Sequence, residues 1–197
     1  MKKCFMIVLL SFLFLINSFA QEGMWQLNQI DKLDLKEKGL KIEVSDIYSK
    51  EKPSLYKAVV QLGGGTASFV SPDGLLITNH HVAFTALQRS SNVASDFLTN
   101  GFLAKNHSEE IKAPGYIAQL LTEMRDVTPE ITEAMNNISD PVEKDKIKNQ
   151  KIASMSDAIR KGRDDVNAVV SEMYNGKQYF LFVYKLFKDI RIVYAPP

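Results

Sequence analysis

Two adjacent histidines, His80 and His81, stand in Thr78-Asn79-His80-His81-Val82-Ala83, directly behind the apolar run Leu75-Leu76-Ile77. An imidazole at the exposed end of a strand held by a rigid hairpin can serve as a general base, because the scaffold fixes its position and the surface gives it access. A buried, hydrogen-bonded structural histidine is the competing reading of either residue. Zinc is a weaker one: adjacent side chains point apart, and no glutamate-flanked histidine pair at helical spacing is present. The third histidine, His107, lies in the polar run Lys105-Asn106-His107-Ser108-Glu109-Glu110 and is expected on the surface. Cys4 is the only cysteine, so cysteine nucleophiles, thiolate metal sites and disulfides are excluded from everything after it. No metal or cofactor site is expected.

A histidine base implies a nucleophile. A serine hydroxyl attacks only when a histidine takes its proton, a carboxylate holds that histidine in the right tautomer, and N–H groups stabilise the oxyanion. No serine here lies in a glycine-flanked nucleophile loop. Ser68 comes nearest to glycines, in Gly63-Gly64-Gly65-Thr66-Ala67-Ser68, but its side chain is committed to a strand face.

The elements that must carry the histidines are short. Ala58 to Leu62, Ala67 to Val70 and Leu75 to Ile77 read as strands, with Gly63-Gly64-Gly65 and Ser71-Pro72-Asp73-Gly74 between them. Ser-Pro-Asp-Gly fits a type I turn, so the latter two strands fold back as a hairpin. Helix punctuation follows from about 128 to 162. Thr128-Pro129-Glu130 opens one helix; Asp140-Pro141-Val142-Glu143 opens another, with an N-cap aspartate, a proline at the first position and a glutamate placed for a capping box. Ile152, Met155 and Ile159 recur on one face, and Gly162 after Arg160-Lys161 is a stop. Strand texture returns from Val166 to Tyr174 and from Gln178 to Phe187, with Asn175-Gly176 as a hairpin turn, and a last strand is expected over Ile190 to Tyr194. Earlier, Leu33, Leu35 and Leu40 suggest one weak helix or an extended arm. The fold class is therefore mainly β with a helical insertion.

The 197 residues are 45% hydrophobic and 24% charged, enough for a real core. Lys2 and Lys3 precede an apolar run from Phe5 to Ile16, and Ser18-Phe19-Ala20 offers small residues for cleavage, so residues 1–20 are read as an export signal and the mature chain as starting at Gln21. The apolar run is about a dozen residues, short of the roughly 20 a spanning helix needs. The product is expected to be periplasmic or extracellular, with no membrane association after cleavage. Of the 24 basic residues, Lys2 and Lys3 belong to that signal, which leaves 22 against 23 acidic ones. That balance provides no electrostatic attraction for nucleic acid or anionic lipid.

The run from Gly63 to Ala83, GGGTASFVSPDGLLITNHHVA, resembles the signature around the catalytic histidine of exported bacterial dipeptidyl-peptidases of the dipeptidyl-peptidase seven and eleven family. Gly23-Met24-Trp25, Gly101-Phe102-Leu103-Ala104-Lys105 and Phe187 to Pro197 agree with it as well. The resemblance covers nearly all of residues 21–197. It implies a serine exopeptidase with a trypsin-like double β-barrel, of which this chain is part of the N-terminal barrel, and a large helical domain that lies outside it. The substrates implied are peptides with a free N-terminus, and the full-length protein is implied to be a homodimer.

The resemblance assigns the catalytic histidine to His81 and leaves His80 a packing or hydrogen-bonding role. It places the aspartate in a Gly-Gly-Asp-type segment shortly beyond Ala195-Pro196-Pro197, and the serine in a Gly-Asn-Ser-Gly-type loop far downstream. Asp126 is a substitute only by analogy with compact trypsin-like barrels; Met124-Arg125-Asp126-Val127-Thr128-Pro129 reads better as the lead into a helix, with its charge paired or solvated. Many members carry cysteines where this chain has Gly65 and Val82. Their joint absence is what loss of a bridging disulfide would look like, with the valine filling part of the space. Residues 21–197 alone are accordingly expected to be inactive and aggregation-prone, with Phe180, Phe182, Tyr184 and Phe187 waiting for a neighbouring strand or barrel. The alternative function is a non-catalytic exported binding module that kept the peptidase fold.

Overall fold

The computed structural model describes residues 25–197, so the expected export segment, its cleavage site, and Gly23 and Met24 lie outside the described residues. In chain order the helices are α1 (Val44–Ile47), α2 (His80–Ser90), α3 (Phe97–Asn100), α4 (Thr128–Ala134) and α5 (Pro141–Arg160). The strands are β1 (Val59–Leu62), β2 (Gly65–Phe69), β3 (Leu76–Thr78), β4 (Phe102–Leu103), β5 (Ile111–Lys112), β6 (Ala118–Asp126), β7 (Val166–Met173), β8 (Gln178–Phe187), β9 (Arg191–Ile192) and β10 (Tyr194–Ala195). No described helix is long and apolar enough to cross a membrane.

The chain forms two units, divided after Val44. The described part of the first begins with a 3-10 helix, Leu27–Lys32, and continues through turns, with Lys36 paired to Glu43 at 2.5 Å. Leu33, Leu35 and Leu40, which suggested one weak helix or an extended arm, lie in and around these turns, and Gly39 at φ +95° lies in a conformation that side chains rarely adopt.

The second unit is built on a six-stranded antiparallel sheet in the order β3-β2-β1-β6-β8-β7. Its outermost strands, β3 and β7, do not pair with each other, so among the described residues the expected barrel is present as a partial, unclosed sheet. The predicted turns close its hairpins. Between β2 and β3 the Ser71 hydroxyl accepts from the Asp73 and Leu75 N–H groups, and Gly74 sits at φ +88°. Between β7 and β8, Tyr174, Asn175 and Gly176 all have positive φ, which explains the Asn-Gly pair.

The helical segment packs on the β7–β8 end. Asp140 caps α5, its carboxylate accepting from the Val142 N–H at 2.9 Å. Ile152, Met155 and Ile159 pack as predicted against a buried cluster that includes Val127, Ile131, Ala168, Tyr179, Leu181 and Val183. The start of α4 is stitched to β8: the Val127 N–H donates to the Tyr179 carbonyl, and the Tyr179 N–H to the Thr128 hydroxyl, both at 2.9 Å.

Two expectations are corrected. The aromatic residues of β8 do not wait for a missing neighbour, because β8 lies between β6 and β7. Phe180 is 1% exposed, Phe182 stacks on Tyr184 and lies tilted to Phe180, and Phe187 meets Phe69 edge-on at 5.7 Å. The neighbouring strands are thus supplied within the chain, while Phe182, Tyr184 and Phe187 remain only partly buried. The last strand is not continuous either. It splits into β9, paired with β5, and β10, paired with β4. Two of the stretches that carried the resemblance, Gly101 to Lys105 and Phe187 to Pro197, are therefore partners in space. Gly101 is required at that contact, since a Cβ there would lie 2.7 Å from the Ala195 carbonyl oxygen at φ +71°.

Candidate functional site

Extended chain from β3 reaches Asn79 and turns at once into α2, so His80 and His81 occupy its first turn instead of a bare strand end. The helix can start here because the Asn79 carbonyl accepts from the Val82 and Ala83 N–H groups, at 3.0 and 3.4 Å. Ala86 and Leu87 of α2 are buried, and in its first turn His80 and His81 are exposed while Val82 and Ala83 are partly buried.

The two histidines differ in their neighbours. The His80 ring lies edge-on to Phe84, one helical turn ahead, with centroids 5.8 Å apart. His81 is exposed, and its imidazole makes no hydrogen bond or ring contact with another described residue. Its successor is the fixed point. Val82 packs on the cluster of Val60, Leu62, Ala67 and Ala118, and the Tyr116 hydroxyl donates to its carbonyl at 2.8 Å. The pairing of positions 65 and 82 is equally direct. A Cβ on Gly65 would fall 2.4 Å from Val82 Cγ2, so the valine fills the space beside the glycine, as the sequence departure suggested.

The other candidates disperse. Ser68 lies within β2 and its hydroxyl bonds the neighbouring Phe69 carbonyl at 3.4 Å. Asp126 ends β6 and accepts from the Thr128 N–H at 2.8 Å, the role expected of a carboxylate that leads into a helix. His107 is 98% exposed at its side chain, with Nδ1 2.6 Å from Glu110 Oε1. Among the described residues, therefore, no serine and no carboxylate reaches His81. No three histidine, cysteine, aspartate or glutamate side chains converge as a metal site among the described residues.

A cleft of about 570 Å³ opens beside this region. Ala83 and Ala86 of α2 and Thr78 line one side, and Ile190 and Arg191 the other; neither His80 nor His81 lines it. On the Arg191 side its charges are paired. Arg191 holds Asp189 through two hydrogen bonds of 3.0 and 2.7 Å, which keep that carboxyl below its ordinary range, and Glu110 lies 3.6 Å from the same guanidinium. That wall is a structural brace, whereas Asp73 of the β2–β3 turn also lines the cleft and its carboxylate pairs with no other described residue.

Sequence reading missed Tyr116. Its partner is 34 residues away, and only the three-dimensional fold brings them together.

Comparison with known proteins defines the relationship. The sequence model of the Peptidase S46 family matches residues 20–197. Dipeptidyl-peptidase 7 of Porphyromonas endodontalis is 38% identical over 187 residues, covering 91% of this chain and 22% of that protein. The Asp/Glu-specific dipeptidyl-peptidase of Flavobacterium psychrophilum is 36% identical over 190 residues, covering 94% of this chain and 26% of its own length. The crystal structure of Porphyromonas endodontalis DPP11 in complex with the dipeptide Arg-Glu superposes with a TM-score of 0.78 at 32% identity, over 89% of this chain and 26% of that one. The chain thus spans about a quarter of the length of the relatives it matches.

Proposed function

Since the chain belongs to the Peptidase S46 family, we propose that the whole protein is an exported serine-type dipeptidyl-peptidase that releases dipeptides from the free N-termini of peptides, with His81 as its general base. The observation that carries this reading is an exposed, uncommitted imidazole at the start of α2, inside a chain whose relatives at more than a third identity are dipeptidyl-peptidases. His80, already packed on Phe84, is the supporting neighbour.

The chemistry follows from what an imidazole can do in that place. His81 takes the proton of a serine hydroxyl as the oxygen attacks the carbonyl of the second peptide bond, then returns it to the leaving amine. A carboxylate must hold the other ring nitrogen, and N–H donors must stabilise the oxyanion. The aspartate and serine are supplied by the remaining length that the relatives carry, so residues 21–197 alone release no dipeptide. The full-length protein works as a homodimer. Export follows from residues 1–20, and N-terminal sequencing of the exported protein should begin at Gln21; a product that retains Phe5 to Ile16 would refute the signal.

The decisive test is turnover of chromogenic dipeptide substrates by full-length protein. His81→Ala should lower kcat by roughly 10⁴, because a triad without its base keeps only binding and the oxyanion hole. His80→Ala should cost far less. Equal losses, or a larger loss at His80, would move the base to His80, and a wild-type protein that releases no dipeptide would favour the non-catalytic binding module.

A further inference from the structure

A general base works only if it is held to within a fraction of an ångström, and a displacement of about 1 Å can cost on the order of a hundredfold in rate. His81 has no side-chain partner among the described residues, so its position is set through its backbone, and that backbone is fixed at Val82. Three contacts hold Val82. Its N–H donates to the Asn79 carbonyl, its side chain fills the space beside Gly65, and its carbonyl accepts from the Tyr116 hydroxyl at 2.8 Å. The first is local to the helix start. The second is apolar and sets distance without direction. Only the Tyr116 bond ties the first turn of α2, with a defined direction, to a segment distant in sequence, the loop that leads into β6.

Tyr116 is itself braced for this task. It closes the turn from Ala113, with its N–H donating to the Ala113 carbonyl at 3.1 Å, and the Ala113 N–H donates to the Ile190 carbonyl at 2.8 Å. Its ring lies against Gly63 in the β1–β2 turn, where a Cβ would come within 3.3 Å of Cε1. The neighbouring Ile117 carbonyl accepts from the Gly63 N–H at 3.4 Å. The ring therefore packs on one hairpin while the hydroxyl reaches over to the histidine-bearing helix. A carbonyl oxygen has two lone pairs, so Val82 can accept this bond as well as its helical one.

We propose that Tyr116 is a positioning residue for His81, its hydroxyl fixing the first turn of α2 so that the imidazole is presented in one orientation. The proposal rests on the reading of His81 as the base. Its role is separable from packing, because phenylalanine keeps the ring and removes only the directional bond.

The test compares full-length wild type, Tyr116→Phe, His81→Ala and, as a control, Tyr174→Phe in the exposed β7–β8 loop. Steady-state kinetics on a chromogenic dipeptide substrate are expressed per active site titrated with a fluorophosphonate for the wild type and the tyrosine variants, and per mole of folded protein for His81→Ala, whose serine the reagent does not label. Tyr116→Phe should lower kcat about tenfold with KM within about twofold, and Tyr174→Phe should change neither. A kcat unchanged per titrated site, or a loss confined to KM or to the titrated fraction, overturns the positioning role. The two readings fail differently. Full turnover by His81→Ala removes the base, and with it the object that Tyr116 positions; full kcat in Tyr116→Phe beside an inactive His81→Ala overturns the positioning alone.

Discussion

The two ends of the six-stranded sheet differ in what covers them. At the β7–β8 end, α4 and α5 lie over the strands, and Val127, Ile131 and Leu181 are fully buried. At the β1–β3 end the buried cluster is Val60, Leu62, Ala67 and Ala118; Ile77 of the outermost strand is 58% exposed, and the histidines that follow it face solvent. Burial is the dominant favourable term in folding, so the helix-covered end carries more of the stability. The other end is less buried and is held by a few directed contacts around Val82, which fits the proposed role of His81. A site that must receive substrate is drawn from the less protected part of a fold.

The sharpest way to break this comparison is Ile131→Ala. Ile131 is 0% exposed in α4, and truncating such a side chain costs about 2–5 kcal/mol. Hydrogen exchange on the full-length protein should show the loss of protection in α4, β7 and β8, with turnover per folded molecule unchanged. An equal loss of protection in β1–β3 would mean that the two ends share one core.

Next in size is Gly65→Ala, which acts at the other end. Its new Cβ meets Val82 Cγ2 at 2.4 Å, and overpacking of this kind costs about 1–3 kcal/mol. Because Val82 follows His81, turnover should fall along with local protection in β2 and α2. Val82→Ala in the same protein should restore part of both, since it removes the atoms that clash. Purely additive losses in the double variant would refute the contact.

These contrasts bear on what could be read from the residues. The hairpin turns and the cap of α5 were legible because each rests on a local requirement: positive φ at Gly74 and Asn175-Gly176, or a carboxylate at Asp140. The helix α2 was missed. Asn79 makes no side-chain cap bond, and the only buried residues of α2 are Ala86 and Leu87, so neither the start nor the stripe gives a strong signal. Strand β6 was hidden by a register shift between Leu121 and Glu123, which breaks the alternation that marks a strand. There the Thr122 hydroxyl donates to the Val183 carbonyl, again a long-range bond. Two-residue strands such as β4, β5, β9 and β10 have no period to detect. For the site, composition and spacing could nominate the His80–His81 pair, but only family resemblance could choose between its members. Tyr116 left no local trace, because its function depends on a partner 34 positions away.

A smaller effect is expected from Asp140→Ala. The carboxylate satisfies the Val142 N–H at 2.9 Å, and replacing such a cap costs about 1 kcal/mol. Exchange should rise in the first turn of α5 and nowhere in β1–β3. Loss of protection throughout the helix-covered end would show that α5 docks as one unit with its cap.

The smallest effect is electrostatic and sits on the same helix. Lys148 Nζ lies 2.7 Å from Asp145 Oδ1 and 3.2 Å from Glu172 Oε2, tying α5 to β7. The hydrogen bond from Lys148, followed by its charge, holds the Asp145 carboxyl below its ordinary range; the bonds to Asp145 and Glu172 raise the ammonium above its own. The signs set the window. Asp145 contributes fully above its unfolded pKa of about 4, and that contribution is lost as pH falls through its lower folded value. Lys148 contributes fully below about 10.4, and that contribution is lost as pH rises through its higher folded value. The tie is therefore complete between roughly pH 5 and 10. Lys148→Met keeps most of the buried stem and removes the charge, so the variant should melt slightly lower than wild type inside that window and converge with it at both extremes. The groups are partly exposed, so the gap should be no more than a few degrees and should shrink in about 1 M salt. A gap constant across pH and unaffected by salt would assign the tie between α5 and β7 to the packing of the lysine stem and not to its charge.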